Sequence, residues 1–199
     1  MIKRYGFLGS IRLFMSLIYT KIVYPQARLI RLPFDIRNRR FIEIGNNFVT
    51  GPGCRIEAFP VKNDNKKCIK IGNNVQINDY VHIGAVHSII LEDNVLLASK
   101  IYISDHNHGS YEGINNSNPN SIPIEREPGY KPVLIKKNVW IGESVCILPG
   151  VTIGEGSIIG ALSVVSRDIP DFTIAVGSPA KPIKKYNFDS KTWEKIRSE

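Results

Sequence analysis

This chain of 199 residues is poor in the residues that usually announce a site: four histidines, three cysteines, two tryptophans and two methionines. The cysteines, Cys54, Cys68 and Cys146, show no CxxC spacing. That argues against a zinc ribbon or a dithiol redox centre, and reduced thiols in a cytoplasmic protein are the expectation. No metal site is expected. Long apolar runs are also missing, since Arg12 and Lys21 bracket only eight residues, against about 20 for a membrane span. A transmembrane helix is therefore not expected. A secretory signal is not expected either, because bases recur throughout and no small-residue cleavage site follows the apolar N-terminal part. No recognised nucleic-acid module accompanies the bases, so nucleic acid is not an expected partner.

What is present is ordinary in amount and unusual in arrangement. Apolar residues make up 43% and charged residues 22%, as in a folded soluble protein with one real core. The net charge of +8 falls entirely on residues 1–40, which hold nine Lys/Arg and one acid, Asp35. The remainder is balanced. Apolar residues (Ile11, Leu13, Phe14, Leu17, Ile18, Ile22, Val23) are interleaved with these bases. The segment either packs on the body with its bases solvated, or touches anionic lipid.

From residue 41 a repeat takes over, and repeats fix architecture before anything else. Segments such as Ile71-Gly72-Asn73-Asn74-Val75-Gln76 and Ile141-Gly142-Glu143-Ser144-Val145-Cys146 share a period of six. That period fits neither a helix nor a simple amphipathic strand. It fits a short strand plus a turn, wound around a prism that takes the first and fifth side chains inside. The first positions form five groups of three: Ile44/Thr50/Ile56, Ile71/Ile77/Ile83, Leu91/Leu97/Ile103, Ile135/Ile141/Ile147 and Ile153/Ile159/Val165. Spacing within each group is six, and the extra residues between groups number 9, 2, 26 and 0. Every insertion therefore follows a third hexad. A triangular coil with two tight corners and one that extrudes loops explains this phasing. The expected fold is all-β: a parallel β-helix of about five triangular coils over residues 41–185, with a long extruded loop at 106–131. A basic segment at 1–40 would precede it. A short helix at 186–199 would follow, capped by Asp189 or Ser190 and running through Arg197, with Trp193 and Ile196 on one face. Glycine at second positions (Gly45, Gly51, Gly72, Gly84, Gly142, Gly154, Gly160) suits tight backbone geometry.

The chemistry is expected where the longest loop leaves the coil. Ser104-Asp105-His106-Asn107-His108-Gly109 places two of the four histidines there. A strand end that presents ionisable groups beside a loop is a sound active-site arrangement. A neutral imidazole accepts a proton from a hydroxyl at physiological pH. Histidines that merely cap the loop are the bland alternative, and clustering argues against it.

These features resemble the left-handed β-helix acyltransferases with hexapeptide repeats, and the hand of the coil is taken from that resemblance. The run from Asn94 to His108 is similar to the maltose/galactoside acetyltransferase branch, whose catalytic histidine lies ten positions after a small residue; ten from Ala98 is His108. The Asp-His-Asn-His form is closer to the branch that acetylates bacterial surface polysaccharides, including O-antigen and colanic acid. The Thr-His-Pro context of the sugar acetyltransferases is absent. Further matches are Val139-Trp140-Ile141-Gly142, Ile147-Leu148-Pro149-Gly150, Val164-Val165-Ser166-Arg167-Asp168-Ile169-Pro170 and Gly177-Ser178-Pro179-Ala180-Lys181.

The resemblance implies transfer of an acetyl group from acetyl-CoA to a sugar hydroxyl by a homotrimer with active sites between subunits. The protein would be cytoplasmic, at the inner membrane face if residues 1–40 contact lipid. His108 is the implied general base. His106 is the second candidate, and Asp105 would orient a ring or bind substrate. Matching positions for the donor are Glu143 and Ala161 through their backbone, Ser166, Arg167, Lys181 and Lys184 near the phosphates, and Trp140 beside the acyl-pantetheine arm. Asn78, Asp79, Tyr80 and His82 are the acceptor candidates. Cys146, at an outward sixth position, is the one nearby thiol. Rival readings are an acetyltransferase for another small hydroxyl acceptor, a non-catalytic scaffold, and a zinc enzyme resembling γ-class carbonic anhydrases. The last has suggestive spacing in His82 and His87, but Asn46 and Asn47 stand where its upstream histidine belongs.

Overall fold

The structure is a computed structural model and describes residues 2–61, 66–114 and 116–196. Three parallel sheets form the faces of a prism. The chain visits them in strict rotation: Val49–Thr50 on the first face, Cys54–Ala58 on the second and Ile69–Ile71 on the third. The next round is Gln76–Ile77, His82–Ala85 and Ile89–Leu91. The hexad groups stack in register as their spacing predicts. Ile71 pairs with Ile44 and Leu91 on the third face, Leu97 with Ile77 and Ile141 on the first, and Ile103 with Ile83 and Ile147 on the second. Nearly all of these side chains are buried, and so are fifth-position residues from Phe48 to Ser163. Aliphatic columns removed from water drive the coiling, and each rung satisfies the backbone of the next.

The coil begins earlier than the repeat suggests. Leu29–Ile30 pairs with Val49–Thr50 and Phe34–Arg37 with Cys54–Ala58, so residues 29–37 are a first rung that the boundary at 41 missed. Pro33, Asp35 and Arg37 hide the six-residue pattern there. Below that rung lies a helix, α1 (Ile2–Val23), with a non-helical Gly6. By length and composition its Lys3–Val23 stretch could cross a membrane, which corrects the expectation drawn from Arg12 and Lys21. In this structure α1 instead seals the edge of the first face. Thr20 Oγ1 accepts the Ile30 N–H at 2.8 Å and Ser16 Oγ accepts the Leu32 N–H at 3.1 Å, so edge donors without a strand partner are satisfied by hydroxyls. Tyr24 follows, buried against Phe34 with the Arg39 guanidinium over its ring. Burial pushes its hydroxyl pKa up to about 12.

Two corner features have clear causes. Asn47, Asn74, Asn94 and Asn138 all have φ between 56° and 61°, a region that asparagine tolerates better than other non-glycine residues. They form one ladder, each side-chain N–H donating to the amide oxygen above at 3.0–3.2 Å. At second positions glycine is needed for closeness more than for unusual backbone angles. A Cβ on Gly142 would lie 2.6 Å from the Ala161 nitrogen.

The C-terminal end corrects the expected helix at 186–199. Lys181–Asn187 pairs antiparallel with Thr173–Val176, and Thr192–Lys195 pairs back onto it. Asp189 and Ser190 are turn residues whose N–H groups donate to Asn187 Oδ1, so they cap no helix. The open strand edge and the cross-strand Tyr186–Trp193 pair, with centroids 5.2 Å apart, outweigh a weak local helix preference. Arg197, the expected helix end, lies outside the described residues.

Candidate active site

The corner after the second face carries the histidines. Tyr102–Ser104 ends there, and His106–Asn107 pairs antiparallel with Gly129–Tyr130, so both ends of the intervening segment are fixed to the coil. Asp105 is fully buried. Its carboxylate accepts the N–H groups of Val86, His87 and Ser88 at 2.9, 2.8 and 2.7 Å. His106 Nδ1 lies 3.0 Å from the same carboxylate. Burial alone would raise the Asp105 pKa, but the bonds from His106 and the three backbone donors outweigh it and hold the pKa below its ordinary value. The contact supports an orienting role for Asp105. It leaves no oxygen for substrate, which corrects that part of the expectation.

His106 is half-buried, with Ser104 Oγ 3.2 Å from its Nδ1. His108 is exposed, and no side-chain hydrogen bond involves it among the described residues. Its main chain is nevertheless anchored: the Tyr111 hydroxyl donates to the His108 carbonyl and accepts from Arg126 Nη1 at 2.8 Å. Beside it a cleft of about 440 Å³ is lined by Asn107, Tyr111, Glu112, Tyr130, Lys131 and Pro149. Lys131 donates its backbone N–H to the Asp105 carbonyl and its side chain pairs with Glu112. Tyr111, Arg126 and Lys131 are contributors that the sequence did not single out, because the segment 109–131 has no periodicity to place them; Ser104, at the end of its coil strand, joins them through its contact with His106.

The remaining candidates fall into two places. Ser166 and Arg167 follow Val164–Val165, so they share the histidine corner and are exposed. Asn78, Asp79, Tyr80, Glu143 and Ala161 line the other corner of the second face, between the first and second faces. Leu162 donates to the Glu143 carbonyl there. Lys181 is exposed and pairs with Val176 at the end of the first face, and Lys184 with Ile174. Trp140 stands exposed on the first face between Leu96 and Ile158. About six residues of extended chain separate the two corners, roughly 20 Å, so one chain does not gather every candidate into a single pocket.

Between the corners, on the outside of the second face, His82 Nε2 lies 2.7 Å from Glu57 Oε1. Arg55 Nη2 is 3.0 Å from that nitrogen, and Tyr102 packs on the ring. Glu57 was not anticipated, since it becomes His82's partner only through pairing of adjacent rungs. Cys146 continues the same outward column above Tyr102. His87 packs on Tyr130 instead. Among the described residues no group of three or more His, Cys, Asp or Glu could hold a metal ion.

Comparison with known proteins bears on the family and the fold. Residues 132–167 match the family model "Bacterial transferase hexapeptide (six repeats)". The chain is 44% identical over 194 residues to the Escherichia coli (strain K12) protein described as "Putative lipopolysaccharide biosynthesis O-acetyl transferase WbbJ", covering 97% of this chain and 96% of that one. Among solved structures it is similar to a variant of AntD, an N-acyltransferase from Bacillus cereus in complex with dTDP-4-amino-4,6-dideoxyglucose and coenzyme A. That likeness has a TM-score of 0.69 and 27% identity, covering 87% of this chain and 90% of that one. A maltose O-acetyltransferase from Clostridium difficile 630 matches with a TM-score of 0.59 and 34% identity, covering 74% and 71%. The chain belongs to the hexapeptide-repeat acetyltransferases, whose parallel coil its three faces reproduce. Within that family its likeness to WbbJ runs over nearly the whole length of both chains.

Proposed function

We propose that this protein transfers an acetyl group from acetyl-CoA to a sugar hydroxyl of a bacterial surface polysaccharide or its precursor, with His108 as general base. The observation that carries this reading is the histidine corner itself: a backbone locked by Asp105 and His106 presents an exposed imidazole between Asn107 and Gly109, two residues that line a cleft. His108 takes the proton from the sugar hydroxyl as its oxygen attacks the thioester carbonyl. Backbone N–H groups stabilise the oxyanion, the carbon–sulfur bond breaks, and the proton on His108 passes to the departing thiolate.

Trimeric assembly is part of the same proposal, because a second copy would bring its Asn78–Tyr80 corner against this chain's His108. Ser166, Arg167, Lys181 and Lys184 would then meet the polyanionic end of the donor, with Trp140 beside its acyl arm and the backbone of Glu143 and Ala161 along its length. Membership of the hexapeptide-repeat family supports a left-handed coil of about five hexapeptide turns, with 106–131 extruded as a loop. Peripheral contact with the inner face of the cytoplasmic membrane through residues 1–40 fits a lipid-linked acceptor.

The test is acetyl transfer from acetyl-CoA to a glycan library, read by mass spectrometry. Replacing His108 with Ala should lower kcat by about 10²–10⁴-fold with the oligomer intact. Near-normal turnover in that variant, with loss in His106→Ala, would hand the base to His106.

A further inference from the structure

Helix α1 is amphipathic in the reverse sense. Its inward face carries Ser10, Ser16 and Thr20, all buried, whose hydroxyls bond the preceding turn of the helix and, for Ser16 and Thr20, the edge rung of the coil. Its outward face carries Phe7, Leu8, Ile11, Phe14, Ile18 and Ile22, each between 42% and 75% exposed. At 100° per residue these six fall on one side of the helix, with Lys21 on one flank and Arg12 on the other. A helix held only by core packing shows the opposite arrangement. On another side of α1 a groove of about 760 Å³ runs between the helix and the coil, walled by Tyr5, Leu13, Met15, Pro33 and Tyr80 and edged by Arg12 and Arg31.

What covers this face is indicated by charge. The stripe lies within the 40 residues that carry the entire net charge of +8, on a body that is otherwise neutral. A large apolar stripe bordered by bases matches an anionic phospholipid surface, where acyl chains take the stripe and headgroup phosphates meet the cations. A span is disfavoured by the hydrogen bonds from Thr20 and Ser16, which hold α1 along the edge of the coil.

We infer that α1 lies flat in the interface of an anionic phospholipid bilayer, inserting Phe7, Ile11, Phe14 and Ile18 and seating the helix-covered end of the coil on the membrane. This deepens the membrane contact proposed above and rests on that reading.

Full-length protein should co-sediment with phosphatidylcholine vesicles containing about one quarter phosphatidylglycerol, and much less with phosphatidylcholine alone. Raising the salt from about 0.1 M to about 1 M, where the Debye length falls from ~10 Å to ~3 Å, should weaken binding. Lys21→Gln should weaken it about fivefold. Phe14→Asp/Ile18→Asp changes only exposed positions, so it should keep the circular dichroism spectrum and transfer to a soluble acceptor while losing the vesicles. A Phe14→Trp reporter should be quenched more by shallowly than by deeply brominated lipid. No sedimentation, or equal sedimentation with neutral vesicles, overturns the inference. So does resistance of the bound protein to alkaline extraction, which would mean a span. A double variant that shrinks the oligomer while the wild type ignores vesicles would reassign the face to a second copy of this chain. Vesicle binding without any acetyl transfer would remove the proposed activity and leave the membrane face standing.

Discussion

Two histidines, two residues apart, occupy opposite environments. At His106 the chain has just left the coil but is still held to it: the ring contacts a buried carboxylate and the backbone is paired with Tyr130 in a separate two-stranded ribbon. At His108 the chain has left the coil, and the imidazole stands in solvent while only its carbonyl is held, by Tyr111. Under the proposed function this difference would separate positioning from reacting: the His106 ring is tied through Nδ1 to a saturated carboxylate, whereas the His108 ring makes no side-chain hydrogen bond among the described residues. Asp105 makes the distinction possible, since it fastens the corner to the 86–88 turn from inside.

The sharpest way to break this contrast is kinetic. His108→Ala should lose about 10²–10⁴-fold in kcat, whereas His106→Ala, which removes a positioning contact, should lose about tenfold and shift KM for the acceptor as well. Steady-state kinetics of both variants decide it, and a reversed ranking would sink the assignment of roles.

Next in size is Asp105→Asn. It sets an amide where three backbone N–H groups and an imidazole need an anion, and should cost about 3 kcal/mol in urea unfolding at neutral pH. The pH dependence has a definite sign. The folded pKa of Asp105 lies below its ordinary 3.8, so its stabilisation is complete above that value and fades as pH falls below it toward the lowered folded value. The gap between wild type and Asp105→Asn should therefore narrow only in acid. A gap unchanged well below pH 3.8 would show that the carboxylate's charge does not matter.

A smaller effect is expected on the donor side. Arg167→Ala and Lys181→Ala should each raise KM for acetyl-CoA severalfold with kcat nearly unchanged, since in the proposed donor site they would offer charge to phosphates rather than to reacting atoms. Equal KM values would remove both from the donor site. The smallest is structural: Asn94→Ala breaks the middle of the asparagine ladder and puts alanine at φ 61°. It should cost about 1–2 kcal/mol, read as a lower midpoint with activity per folded molecule preserved.

Much of the fold was readable because the hexad has one physical meaning. An aliphatic residue every six positions, with all insertions after third hexads, forces the three-faced stack, and the rungs from Ile44 to Val165 pair as that spacing requires. Where the pattern lapses, reading failed. Leu29–Arg37 forms a rung without obvious hexads, and the final segment forms a hairpin because an open sheet edge was waiting for it. The site divides in the same way. The Asp-His-Asn-His cluster is visible as letters, but its partition into strut and exposed imidazole is not.

The sequence by itself determined the coil, its register and the corner where the longest insertion departs, since these follow from local periodicity repeated many times. Only the tertiary structure decided that Asp105 faces inward onto three backbone donors, that Glu57 partners His82, and that α1 turns its hydroxyls to the coil and its large apolar residues outward. Those arrangements depend on contacts between distant rungs, where one residue's partner is set by stacking and not by its neighbours in the chain.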